Sequence, residues 1–343
     1  MSTNLTQIKS FLGKYYSELA YSVSQDKYVK AGLNKFFEQK FIIQNNKVQM
    51  VIDPTMDGLT ILVDGNEIFV SKKLYDHESI NVSNSMENAD ANSNPKSLYT
   101  PDVFSTIAYL ICQNHTMFKI IGELDEPIYI KYKSEFESFY NSVVIFNIAE
   151  GLDIEIVEEY KSYCAVNSVT NYIIQPTASL NLSTFYQNHM SALSFCLRSV
   201  IVQDSASYSH ILFGKGSANI LDESKIYANK DSSIELLGCM YSGDQEFHAI
   251  VGIIPASQHY NFLLDHRHIV KGKGKITFTP VVIGHLPVDS HTNVSTLVLD
   301  HYATDFWGEK AEEFLSDIVD RATLERTVGA EQYYRNKTKF LEF

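Results

Sequence analysis

Histidine is the residue type whose placement in this chain first suggests chemistry. Seven of the eleven histidines, His248, His259, His266, His268, His285, His291 and His301, fall within 54 residues. In a stacked β architecture, side chains one coil apart lie over each other. Such a cluster can then converge on one face and ligate iron or another transition metal. His266-x-His268 places two imidazoles on one face of a strand; separate surface or corner histidines are the competing explanation. Cys239 ends the alternating run Ile234-Glu235-Leu236-Leu237-Gly238-Cys239 and is expected to point inward. Buried thiols are most often small hydrophobes, and Cys164 and Cys196 read as packing residues. The candidate metal ligands are therefore His266, His268, His291 and Cys239.

Other patterns point away from familiar enzymes. Gly214-Lys215-Gly216-Ser217 and Gly272-Lys273-Gly274-Lys275 look like pieces of phosphate loops, but neither has the G-x-x-x-x-G-K-[ST] spacing or a following helix. Both read as corner turns with positive φ. No G-x-S-x-G or H-E-x-x-H motif occurs. The acid pairs Glu158 with Glu159 and Asp153 with Glu155 have the residue types of glycosidase carboxylates. Without a neighbouring Arg or Trp to build a sugar platform, they read as a solvated strand edge. No catalytic or cofactor-binding residue is assigned.

The elements that position these residues are mostly short strands. From about residue 127, β-rich runs follow one another at intervals of mostly 10–14 residues, from Ile128–Tyr132 to Ser295–Leu299, broken by Gly, Asn, Asp and Ser clusters. No helical period intervenes for about 170 residues, which argues against a βαβ sheet and leaves a sandwich, a barrel or a solenoid. The apolar patterning leans to the solenoid, whose coils bury their faces only against their neighbours. The expected fold class is mainly β: a right-handed parallel β-helix (solenoid) core with helical N-terminal and C-terminal segments.

Three regions are expected. Residues 1–100 form an N-terminal helical and small β region, with a hairpin around Asp64-Gly65-Asn66 and a polar linker at 81–97. Residues 101–305 form the β-helix core. Residues 306–343 form a C-terminal helical region with the stripe Trp307, Ala311, Phe314, Leu315, Ile318 and Val319. With 28 Lys+Arg against 41 Asp+Glu, the net charge is −13, which disfavours nucleic acid. No apolar run approaches the roughly 20 residues of a bilayer span, and the N-terminus lacks the features of a secretory signal. Four cysteines without zinc or redox spacing suit a reducing, cytoplasmic setting.

Several passages, taken in order, resemble the SufB/SufD family, the β-helix scaffold subunits of the SUF iron–sulfur cluster assembly system. They are Glu126-Pro127-Ile128-Tyr129-Ile130, then Asn141-Ser142-Val143-Val144-Ile145 with Ile154 to Tyr160, and Asn167-Ser168-Val169-Thr170. Three more follow: Ile234 to Tyr241 with Gly243-Asp244-Gln245, Lys271 to Phe278, and Asp289-Ser290-His291-Thr292-Asn293 with Leu297-Val298-Leu299. The resemblance leans to SufD, to whose N-terminal strand Leu62-Val63-Asp64-Gly65-Asn66 is also similar. One departure concerns the Cys-Ser-His-Gly-Ala-Thr segment that usually follows the family's last strand: residues 300–326 contain no Cys.

The resemblance implies a non-enzymatic scaffold that pairs with a SufB-like β-helix subunit, or with itself, and docks a SufC-like ABC-type ATPase. It implies no resident cofactor beyond a transient iron–sulfur cluster shared with a partner, and it would allow Cys239 to carry sulfur along the coil interior. Partner contacts are expected at Trp307, Phe314, Leu315 and Ile318, and neither nucleic acid nor membrane is expected as a partner. The alternatives are a β-helix carbohydrate-active enzyme of the polysaccharide-lyase kind and a solenoid interaction protein without cluster chemistry.

Overall fold

The computed structural model describes residues 2–3, 41–42, 49–64, 67–84, 108, 116–134, 139–163, 165–188, 192–216, 219–242, 246–257, 259–271, 273–283, 287 and 290–299. The helical segments expected in residues 1–40 and 306–343 lie outside them. Of the expected polar linker, Asn81 to Asn84 are strand and the remainder also lies outside.

Strands β1 (Ser2–Thr3) and β2 (Phe41–Ile42) pair antiparallel. β3 (Gln49–Asp53), β4 (Leu59–Asp64), β5 (Glu67–Ser71), β6 (Ile80–Asn84) and β7 (Thr116–Ile120) open the main structure. There follow β8 (Ile128–Ser134), β9 (Phe139–Ile148), β10 (Asp153–Ser162), β11 (Ala165–Ile174), β12 (Ser179–Tyr186), β13 (Leu193–Val202) and β14 (Ser207–Gly216). The last six are β15 (Asn219–Ala228), β16 (Ser232–Ser242), β17 (Glu246–Pro255), β18 (Tyr260–Lys271), β19 (Lys275–Val282) and β20 (His291–Leu299).

From β7 onward each strand pairs parallel with the next but one. A ten-stranded sheet runs β20-β18-β16-β14-β12-β10-β8-β4-β5-β3, and an eight-stranded sheet runs β19-β17-β15-β13-β11-β9-β7-β6. This alternation of consecutive strands between two parallel sheets is a β-solenoid, as the patterning predicts; a sandwich of antiparallel strands is excluded. The hairpin expected around residue 65 is present as the antiparallel pair β4–β5, with Asp64 opposite Glu67.

One coil comprises two strands and two corners. Register advances by 26 to 29 residues per coil, as with Ile154 opposite Leu180, Leu180 opposite Tyr208 and Phe247 opposite Ile276. Because side chains alternate along a strand, each coil sends every second residue inward, and like stacks on like. Tyr132, Tyr160 and Tyr186 form one inner ladder, with ring centroids 4.3 and 4.7 Å apart. Phe118, Phe146 and Tyr172 form another on the facing sheet, at 5.2 and 5.4 Å.

The corner entering the larger sheet repeats a left-handed residue: Gly151, Thr177, Ser205 and Asp231 have φ of 76°, 60°, 58° and 57°. Its backbone N–H groups bond to the next coil, Thr177 to the Asp204 carbonyl at 3.2 Å and Ser205 to the Lys230 carbonyl at 2.9 Å. Gly214, expected at a corner, instead lies within β14. A Cβ there would stand 2.6 Å from Phe247, so the glycine makes room for an aromatic ring reaching across from the facing sheet.

Candidate functional site

The middle coils enclose charge. Glu158 projects inward from β10 and is fully buried, although its acid-rich surroundings suggest a solvated edge. Its partner is Arg198 of β13 on the facing sheet, which sequence reasoning passes over. The guanidinium Nε donates to Glu158 Oε2 at 2.9 Å, and Nη1 donates to Asp222 Oδ2 of β15 at 2.6 Å. Nη2 also bonds Glu158 and donates to Thr184 Oγ1 at 3.2 Å and Tyr186 Oη at 3.3 Å. Hydroxyls fill the remaining acceptor sites. Tyr172 donates to Glu158 Oε1 at 2.7 Å, Thr184 donates to Oε2 at 3.0 Å, and Tyr186 donates to Asp222. His210 Nε2 lies 3.0 Å from Thr184 Oγ1.

One guanidinium meets two carboxyl groups in a dry interior. Such a group is tolerated only when its lone pairs are met by hydrogen bonds, as here. Burial opposes the charge on Arg198, but Asp222 and Glu158 outweigh it and hold the guanidinium above its ordinary value. The three parts lie on successive coils, so the network bolts the coils bearing Glu158, Arg198 and Asp222 together.

Nothing near this network is an activated nucleophile. Cys196 lies between Ser168 and Asp222 in register and is buried. Burial pushes its thiol up to about 12, despite the nearby Arg198. Burial likewise raises the hydroxyls of Tyr160, Tyr172 and Tyr186 well above their ordinary range. The arrangement holds protons rather than moving them.

The metal candidates divide. His266 and His268 both project inward from β18 and are buried. His291, opposite Leu263 at the start of β20, is exposed and lies on the outward row. Cys239 is on the outward row too: its register follows Phe213 and precedes Arg267, while Ile234, Leu236 and Met240 of the same strand join the core. It is nevertheless fully buried, and burial raises its thiol well above the ordinary range. Of the two described cysteines, Cys196 is the inward one. Among the described residues no three His, Cys, Asp or Glu side chains are arranged to hold a metal ion. Trp307, Phe314, Leu315 and Ile318 lie outside the described residues.

Fold and interior define a parallel β-solenoid protein with a charged, sealed core and, among the described residues, no assembled catalytic constellation. Residues 130–290, which run from within β8 to the residue before β20, match the family model described as SUF system FeS cluster assembly, SufBD core domain. That match supports the SufB/SufD family for this chain, and with it a role in SUF-system iron–sulfur cluster assembly. No curated protein matches it. No described helix is long and apolar enough to cross a membrane.

Proposed function

We propose that the chain is a SufD-like, non-enzymatic scaffold subunit of a SUF-type iron–sulfur cluster assembly complex. It pairs with a SufB-like β-helix subunit and docks a SufC-like ABC ATPase through the C-terminal stripe of Trp307, Phe314, Leu315 and Ile318. The observation that carries this reading is the family match across residues 130–290. The end of the solenoid supports it. Among the described strands, β19 and β20 finish the two sheets, and Val281, Ile283 and Val294 expose 42, 61 and 47% of their surface there. Unpaired strand edges flanked by exposed apolar side chains are suited to pairing with another chain. A cluster is then a transient cargo shared with the partner, and the setting is cytoplasmic.

The test is recovery of partners from native lysate with a tagged full-length chain. An ATPase and a second β-helix subunit should co-purify in defined stoichiometry, and Ile283→Asp should release the second subunit while sparing the first. A chain that recovers neither, and alone cleaves uronic-acid polymers, is a lyase instead.

A further inference from the structure

Towards its last coil the interior changes character. His266 and His268 keep only 2 and 3% of their surface exposed, and neither His266 Nδ1 nor His268 Nε2 has a hydrogen-bond partner. The ring centroids are 6.1 Å apart, with planes 76° to each other. Phe278 reaches across from β19, stacking on His266 at 4.2 Å and lying 5.8 Å from His268. Space for His266 comes from Gly238 on the neighbouring coil, where a Cβ would sit 2.2 Å from both Cε1 and Nδ1. Register sets Met240, fully buried, beside His268.

Buried nitrogens without partners are rare because desolvation is left uncompensated. Two together, on the inward row of one strand, are a pair of nitrogen donors with no hydrogen-bonding use in the fold. We propose that His266 and His268 form a two-coordinate site for a soft monovalent metal ion, cuprous copper, with the Met240 thioether as the adjoining soft donor. Charge selects the ion. Asp265 stands on the opposite face of the strand, where its Oδ1 accepts from Asn293 at 2.9 Å, and among the described residues no carboxylate is paired with either ring. A divalent cation would need further ligands and counter-charge in a dry wall. Imidazole and thioether suit cuprous copper, which is soft and carries a single charge. Burial keeps both rings neutral, with His266 lowered to about 3, helped by His268, and His268 to about 4. Ring lone pairs are therefore available at neutral pH without proton release. The inference does not depend on the proposed scaffold function.

The experiment is anaerobic titration of the full-length chain with Cu(I) against a chromophoric cuprous chelator, followed by copper K-edge absorption of the complex. One equivalent should bind through nitrogen. His268→Leu should lose it while keeping the circular dichroism of the native chain, since leucine removes an unpartnered nitrogen from an apolar wall. His266→Gln should lose it as well, and Cys196→Ser and Cys239→Ser should retain it. Coordination by sulfur alone, retention of the equivalent in the His266→Gln/His268→Leu variant, preference for Zn(II), or failure of the native chain to bind Cu(I) would each overturn the proposal.

Discussion

Replacing Arg198 with methionine should destabilise the solenoid more than any single surface change. The side chain is 1% exposed and donates to Glu158, Asp222, Thr184 and Tyr186. Its removal leaves two carboxylates buried without a cation, and breaking a buried ion pair in this way costs about 3–5 kcal/mol. Domains typically have only about 5–15 kcal/mol of stability. With a urea slope of about 2–3 kcal/mol per molar, the unfolding midpoint should fall by roughly 1–2 M. The triple variant Glu158→Leu/Arg198→Met/Asp222→Leu removes all three charges together, and it should return to within about 1 kcal/mol of the native chain or exceed it. Urea melts followed by circular dichroism measure both. A single variant within about 1 kcal/mol of native, or a triple variant weaker than the single, would mean that the network is not the closed charge clamp described.

Three further outcomes are expected. The unfolded imidazoles titrate near 6.5, while in the folded chain His266 is lowered to about 3 and His268 to about 4. The unfolded state therefore binds more protons between these limits. Stability should be full above pH 6.5 and fall by about 1.4 kcal/mol per pH unit for each histidine as the pH drops through that window. Urea midpoints at pH 7 and pH 5 should show this fall, much reduced in His266→Gln/His268→Leu. Gly238→Ala should cost about 1–3 kcal/mol by pressing on the His266 ring, and His266→Ala should relieve most of that cost in thermal melts. If the C-terminal stripe docks the ATPase, Phe314→Ala/Ile318→Ala should weaken binding by about 2–4 kcal/mol, a rise in Kd of thirtyfold or more. Calorimetric titration of a variant that keeps its circular dichroism checks this, and unchanged affinity places the dock elsewhere.

From β8 onward the strands were legible because turn residues and apolar runs recur at coil spacing, with β20 starting earlier than expected at His291; β7 was not anticipated, and β6 lay partly in the segment read as a polar linker. The parallel pairing was legible in outline, since no helix separates the runs. The charged interior was not. Glu158 and Glu159 are adjacent in sequence and differ only in parity, and nothing local says which one turns inward. Its partner Arg198 stands 40 residues away, and Asp222 a further 24, separations that only the coiling of the chain brings to one point. The same ambiguity reversed Cys239, whose strand has apolar residues on both faces: Leu236 and Leu237 are both buried. A signal was nonetheless available for Arg198. It is a lone cation in the apolar run Leu193-Ser194-Phe195-Cys196-Leu197-Arg198-Ser199-Val200, a position that calls for a buried acid, although the coil period alone does not say which one.

The bolt formed by Arg198 has a consequence for how such a chain can change length over time. A solenoid joined only by backbone ladders and like-on-like stacking can gain or lose a whole coil with little disturbance, because every new neighbour resembles the old one. Here the coil bearing Arg198 is distinguishable from those beside it. Excising it would preserve the strand register but bring the coil bearing Glu158 directly against the coil bearing Asp222, with like charges and no cation between them. Duplicating it would split the network, because one guanidinium that now bridges Glu158 and Asp222 would become two, each a coil further from one of those acids. Coil number in this part of the protein is therefore set by a side chain, and the repeat that looks freely modular along the backbone has a fixed count.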